Sequence, residues 1–168
     1  MPTNPVENDA VTYIAVGDIH GRLDLLKRLH EKLVTYCTKN PATYELVYLG
    51  DYIDRGPHSK QVVDFLLEEP ELHQLMHKVV YLRGNHEQAL LISLQENGVE
   101  FLSGQWLRWG GGACLASYGV APADTPELFQ ENFLEKLPTS HLHFYEKSAL
   151  MYDTDKYLFV HAGVRPGV

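Results

Sequence analysis

Leu49-Gly50-Asp51-Tyr52-Ile53-Asp54-Arg55-Gly56 decides how this chain is read. It follows the strand-like run Tyr44 to Leu49 and gathers carboxylates, an arginine and glycines into one loop that has no folding reason to be so charged. The same arrangement lies on either side of it. Upstream, the β-branched and aromatic run Val11 to Val16 stops at Gly17-Asp18-Ile19-His20-Gly21. Downstream, Lys78 to Leu82 stops at Arg83-Gly84-Asn85-His86-Glu87. A short apolar run ending in a Gly-bounded polar loop is the pattern of a buried strand that delivers side chains at its C-terminal end.

Between these runs the periodicity changes. Leu26, Leu29, Leu33 and Cys37 recur at three- and four-residue steps, so an amphipathic helix is predicted from Leu23 to about Thr38, ended by Asn40-Pro41. A second helix is predicted through Val62, Val63, Leu66 and Leu67, with Ser59 as its N-cap and Glu69-Pro70 closing it. A third runs from Gln88 to about Asn97. Strand, polar loop and helix in triplicate predict an α/β layered fold, with central mixed β-sheets flanked by helices. Loops beyond the C-terminal ends of such strands converge on one side, where ligands bind.

The remainder is less regular. Trp106 to Tyr118, with its three successive glycines, reads as turn-rich, serving either structure or a substrate-side surface. A polar helix is predicted from Pro126 to about Leu137 and a short one from Pro138 to Tyr145. Ser148 to Tyr152 and Tyr157 to Val160 read as a hairpin whose second strand ends at His161-Ala162-Gly163.

At 168 residues the chain is one domain's worth, read as a flexible N-terminus over 1–10 and a catalytic domain over 11–168. Its 14 Lys and Arg against 22 Asp and Glu give −8 with the basic residues scattered, which argues against nucleic acid or an anionic membrane as partner. Cys37 and Cys114 stand in neither CxxC nor CxxH spacing and read as buried free thiols. No apolar run approaches ~18 residues and the first ten are polar, so the expectation is a soluble, cytoplasmic protein.

Collected, the strand-end residues are Asp18, His20, Asp51, Asp54, Arg55, Asn85, His86 and His161. Carboxylate, imidazole and amide oxygen suit Mn²⁺, Fe or Zn²⁺ better than Ca²⁺, and no cysteine offers a thiolate site. Asp18 and His20, two apart, can point to the same side. So many ligands suit a pair of cations about 3.5–4 Å apart, and Asp51, at the central strand end, is the expected bridge. A water between two such cations becomes a nucleophile near neutral pH.

The stretches GDIHG (17–21), GDYIDRG (50–56), GNHE (84–87) and HAG (161–163) resemble the signature of the PPP-type, calcineurin-like metallophosphoesterases, the bimetallic serine/threonine phosphatases including bacterial-style members. The resemblance implies their layered fold and two divalent ions, with Mn²⁺ expected. It implies Asp18 and His20 on the first ion, Asp51 bridging, and Asn85 and His161 on the second. His86 would be the general acid, Asp54 the carboxylate that orients it, and Arg55 the phosphate clamp, with Asn85 also facing the phosphate. That family normally continues past HAG with a further ligand histidine in a Gly-His context. Here only Val164 to Val168 follow, so the expectation is a C-terminally truncated chain with an exposed edge open to association.

Plainer readings stand beside these. Asp18 and Asp51 taken alone could be helix N-caps, and Asp54 and Arg55 a local ion pair. His30, His58, His73, His77, His141 and His143 are expected at the surface. Trp106 and Trp109 are expected to anchor the core rather than to stack bases, since no basic stripe accompanies them. The resulting expectation is a metal-dependent phosphomonoesterase acting on phosphoserine or phosphothreonine in proteins and on small phosphoesters. Asp54-Arg55 after Gly50-Asp51 and Glu87 after His86 favour that branch. The alternatives are a dinucleoside tetraphosphate (Ap4A-type) hydrolase and an inactive metal-binding interaction domain.

Overall fold

The computed structural model describes residues 11–165 and 167, apart from 69, 96, 99, 101 and 122–124. The N-terminal stretch expected to be flexible lies outside the described residues.

Three parallel strands carry the fold: β1 (Thr12–Val16), β2 (Tyr44–Tyr48) and β3 (Lys78–Tyr81), paired in that order with Thr12 opposite Tyr44 and Glu45 opposite Lys78. Every residue of central β2 is buried, as a parallel strand covered on both faces requires. Helix α1 (Leu23–Lys39) packs Leu26, His30 and Cys37 inward and stops where Asn40 returns its backbone N–H to the Tyr36 carbonyl. Leu29, expected on that face, is exposed instead. Helix α2 (Ser59–Leu67) buries Val62, Val63 and Leu66. A short turn of helix, α3 (Glu71–Gln74), was not legible in the sequence and seats Leu72 in the core.

Ser59 is not an N-cap. It is the first residue of α2, and its hydroxyl accepts instead from the backbone N–H of Asp54 at 3.0 Å. Helix α4 runs Asn85–Ser93, three residues earlier than the pattern suggested, so the third polar motif forms the helix's own first turn. Trp106 to Tyr118 also differs from expectation. It is helical, as a π-type segment Leu102–Gly111 broken at Gly110 followed by α5 (Gly112–Ser117). Helices α6 (Pro126–Lys136) and α7 (Thr139–Lys147) fall where predicted, α6 with Thr125 accepting from the Leu128 N–H.

The predicted hairpin forms as β4 (Met151–Asp153) and β5 (Leu158–Val160), antiparallel, and a single parallel bridge from Leu82 to Ala149 ties it to the end of β3. It lies over the sheet face carrying Tyr13, Glu45 and Lys78, which share one row of the ladder. Tyr13 meets Phe159, while the Tyr152 hydroxyl donates to Glu45 at 2.7 Å and its ring lies 4.2 Å from the Lys78 ammonium. The α/β class with helix-flanked sheets of both senses is therefore present. Among the described residues β5 pairs only with β4, and Met151, Tyr157 and Leu158 are exposed beside it. No helix is long and apolar enough to cross a membrane among the described residues.

Candidate active site

The loops after β1, β2, β3 and β5 meet, and with them all eight residues singled out at the strand ends. Four of these residues are bent into the left-handed region: His20 (φ 45°), Asp51 (55°), Asp54 (71°) and Arg55 (63°) are the only non-glycine residues with positive φ among those described. Each such bend costs about 1–3 kcal/mol and persists only where the surroundings over-determine it. The surroundings here are specific. The Asp51 carbonyl accepts from the N–H groups of both Ile19 and His20 at 2.9 Å, and Arg55 N–H donates to the Gly110 carbonyl at 3.1 Å. Glu87, wholly buried, accepts from the N–H groups of Asp51 (2.8 Å), Tyr52 (2.8 Å), Ile53 (3.4 Å) and Gly84 (2.9 Å), so one carboxylate ties two motif loops together. Burial, reinforced by the nearby Asp51 charge, pushes Glu87 up to about 7 against the pull of those N–H donors. Gly84 is obligatory at the crossing, because a Cβ there would stand 2.0 Å from Asp51 Oδ1.

Asp51 is the hub. Its Oδ2 lies 3.7 Å from His20 Nε2 and 3.9 Å from His86 Nε2, while its Oδ1 lies 3.5 Å from His161 Nε2. Two sets of donor atoms, each within 4.8 Å of one another, result: His20, Asp51 and His86 in one, and Asp18, Asp51 and His161 in the other. Both contain Asp51, one oxygen toward each. Asp18 Oδ2 also stands 3.8 Å from His20 Nε2, so the pair expected to share an ion is adjacent. The grouping departs from the expected partition in two respects, since His86 joins the ligand-like cluster with His20, and Asp18 falls in the cluster with His161 rather than in that of His20.

The imidazoles are poised to ligate. His20 Nδ1 donates to the Ile53 carbonyl at 2.9 Å and His161 Nδ1 to the Leu49 carbonyl at 2.9 Å. A carbonyl can only accept, so each ring carries its proton on Nδ1 and presents a bare lone pair at Nε2. His20 Nε2 is buried without any hydrogen-bond partner, and His161 Nε2 faces the amide oxygen of Asn85, another acceptor, at 3.0 Å. A buried lone pair with no donor, and two acceptors turned on each other beside carboxylates, fit divalent cations. The residues therefore offer two candidate cation sites sharing Asp51, with Asn85 beside the second.

Next to them is a proton-handling pair. His86 Nδ1 lies 2.6 Å from Asp54 Oδ2, which also accepts from Trp106 Nε1 at 2.7 Å, all three side chains being buried. Burial alone would lower the His86 pKa, but the hydrogen bond its Nδ1–H donates to Asp54 and the charges of Asp54 and Asp51 outweigh it, and the net shift is upward. Asp54 is raised by burial against the stabilising bonds from His86 and Trp106. Arg55 is exposed at the rim, its Nη2 3.2 Å from His86 Nε2.

Two contributors escaped the sequence reading. The sequence pattern marks Glu87 only as a branch indicator and Trp106 only as a core anchor. Both act through partners at least thirty-four positions away in the chain, except for Glu87's bond to Gly84. Trp109, expected in the core with Trp106, is 39% exposed and its ring centre lies 6.3 Å from that of His86.

Against known families, residues 11–166 match the calcineurin-like phosphoesterases. Among curated proteins, the asymmetrical bis(5'-nucleosyl)-tetraphosphatase PrpE of Bacillus cereus (strain AH187) is 29% identical over 161 residues, covering 91% of this chain and 58% of its own length. The serine/threonine-protein phosphatase BSL2 of Arabidopsis thaliana is 39% identical over 74 residues, 44% of this chain and 7% of its own. This chain thus spans little more than half of the PrpE relatives it matches. Among solved structures, a mutant cold-active protein tyrosine phosphatase aligns with 75% of this chain and 38% of its own at 20% identity and a TM-score of 0.43.

Proposed function

The chain belongs to the calcineurin-like phosphoesterase family, and on that premise we propose that it is a metal-dependent hydrolase of dinucleoside tetraphosphates. The observation that carries the reaction class is Asp51, whose two oxygens face two separate donor clusters. The substrate class is supported by the relatives that align with 91% of the chain. The phosphoserine and phosphothreonine reading rests on an alignment with 44% of it and stands second.

In this reading Asp18, His20 and Asp51 hold one divalent ion, and Asp51, Asn85 and His161 the other. When bound, such a pair neutralises phosphoryl charge and can lower the pKa of a bound water from about 15.7 to roughly 7. Arg55, exposed at the rim, offers its planar fork to two phosphoryl oxygens, and Asn85, beside His161, also faces the phosphate in this reading. His86 holds a proton that it gives to the departing oxygen, and Asp54 keeps the ring oriented and its charge stabilised. Phosphoryl transfer asks mostly for positioning and charge neutralisation, which these residues supply.

The test is a substrate panel with Mn²⁺: diadenosine tetraphosphate, a phosphoserine peptide and an aryl phosphate. The proposal expects the dinucleotide to have the highest kcat/KM and to yield AMP and ATP. A higher kcat/KM for the phosphopeptide would replace it with the second reading.

A further inference from the structure

The two donor clusters do not come from the same parts of the fold. His20, Asp51 and His86 all follow strands of the parallel sheet, β1, β2 and β3. Of the residues gathered at the strand ends, only His161 arrives from the hairpin, directly after β5. Among the described residues β5 pairs only with β4, and the hairpin reaches the sheet's ladder through the single bridge from Leu82 to Ala149. The place of His161 over Asp51 therefore depends on what holds the hairpin against the sheet face. The polar part of that contact is one hydroxyl. Tyr152, in the middle of β4, accepts from the Lys78 ammonium at 3.1 Å and donates to Glu45 Oε2 at 2.7 Å, so it joins two residues paired across β2 and β3. Glu45 is only 8% exposed, and a buried carboxylate that loses its donor is costly, which makes the bond directional. Across the hairpin Tyr152 is opposite Phe159, their rings stacked with centres 6.1 Å apart, and Phe159 lies two positions before His161.

We propose that Tyr152 is a positioning residue for the cation served by His161: its hydroxyl, clasped between Glu45 and Lys78, sets where the hairpin delivers that imidazole. The inference rests on the two-cation reading above and deepens it. His161 Nδ1 donates to the Leu49 carbonyl at 2.9 Å while Nε2 stands 3.5 Å from Asp51 Oδ1, so a shift of the hairpin over the sheet loosens the ring from both. His20 is the internal control. Its Nδ1 donates to the Ile53 carbonyl and nothing in its cluster comes from the hairpin. Substitutions along a packed, hydrogen-bonded chain that touch no ligand change a remote affinity by roughly threefold to thirtyfold.

The experiment titrates Mn²⁺ calorimetrically into wild type, Tyr152→Phe and His161→Ala, the last marking which of the two sites the hairpin serves. In Tyr152→Phe the marked site should weaken at least about threefold and the other stay within about twofold of wild type. An unchanged marked site, or equal weakening of both as a general loss of folding would give, overturns the proposal. A second readout needs no metal. In the metal-free chain, solvent exchange of the His161 Nδ1 proton, followed by NMR, should quicken in Tyr152→Phe while that of the His20 Nδ1 proton is unaltered, and equal rates of change at the two rings overturn the clasp. Glu45→Leu removes the acceptor and should repeat this split, whereas Glu45→Gln keeps an acceptor for the hydroxyl and should lie nearer wild type; Glu45→Leu without the split overturns the clasp as well. Should wild type bind fewer than two ions, the two-cation reading falls and the proton exchange decides the clasp by itself. Two ions bound, with His161 and His20 exchanging alike in the variant, sinks the clasp alone.

Discussion

His20 and His161 each give Nδ1 to a backbone carbonyl and turn Nε2 toward Asp51, whereas His30 and His73, on the flank of the sheet, both turn Nε2 to the hydroxyl of Tyr48, at 2.8 and 2.9 Å. The side chain is the same and the chemistry differs. At the strand ends the lone pairs point at carboxylates and no donor meets them. On the flank, one hydroxyl donates to one ring and accepts from the other, so both Nε2 atoms are met within the protein and only His30 Nδ1, which faces no carboxylate partner, is left without a hydrogen bond. Burial pushes His30 down to about 4, helped by the charge of His73, and burial does the same to His73. Both therefore stay neutral at pH 7. The difference teaches that a buried histidine is a candidate ligand when its ordered nitrogen is spent on an acceptor, leaving the other bare beside acids.

Breaking the strand-end half of this comparison should have the largest effect. Asp51→Asn removes charge from both clusters at once, and steady-state turnover should fall at least ~10⁴-fold, the loss of several kcal/mol of charge stabilisation. His86→Asn should keep the cations and lose about 10²–10³-fold in kcat, most for poor leaving groups, as removal of a general acid predicts. Equal loss on aryl and alkyl phosphates would remove His86 from that role. Trp106→Phe deprives Asp54 of a hydrogen bond worth about 1.5–3 kcal/mol, to be read as a lower Tm together with a pH–rate profile displaced on the His86 limb.

The flank gives the smallest effect. His30 is held near 4 in the folded protein against an ordinary 6.5, so the unfolded chain binds more protons between those values. Stability is therefore full above pH 6.5 and declines as pH falls toward 4. His30→Gln should flatten that decline in a series of Tm measurements across the window while kcat/KM at pH 7.5 stays near wild type. An unaltered slope would mean that His30 does not titrate with folding.

Much of the site was legible because its signals are local. An apolar run that stops at a Gly-bounded polar loop identifies a strand end, and Asp18, His20, Asp51, Asp54, Arg55, Asn85, His86 and His161 all came from that one pattern. What escaped depends on partners far off in the chain. His30 and His141 were expected at the surface and are buried, since their partners Tyr48 and Asp64 lie eighteen and seventy-seven positions away. Ser59 matched a capping pattern but was claimed by Asp54 N–H. Glycines at 110–112 suggested turns, yet only Gly110 takes a non-helical conformation there, and it does so to meet Arg55. Spacing can nominate residues for a strand end, but it cannot show that Glu87 clamps the loop of Asp51.

The most direct test of the account is a calorimetric titration of Mn²⁺ into the metal-free chain and into Asp51→Asn. If Asp51 serves both clusters, the wild type should bind two ions and the variant should lose affinity at both sites together. One site weakened while the other keeps its wild-type affinity would contradict a shared carboxylate, and with it the two-cation site on which the proposed chemistry depends.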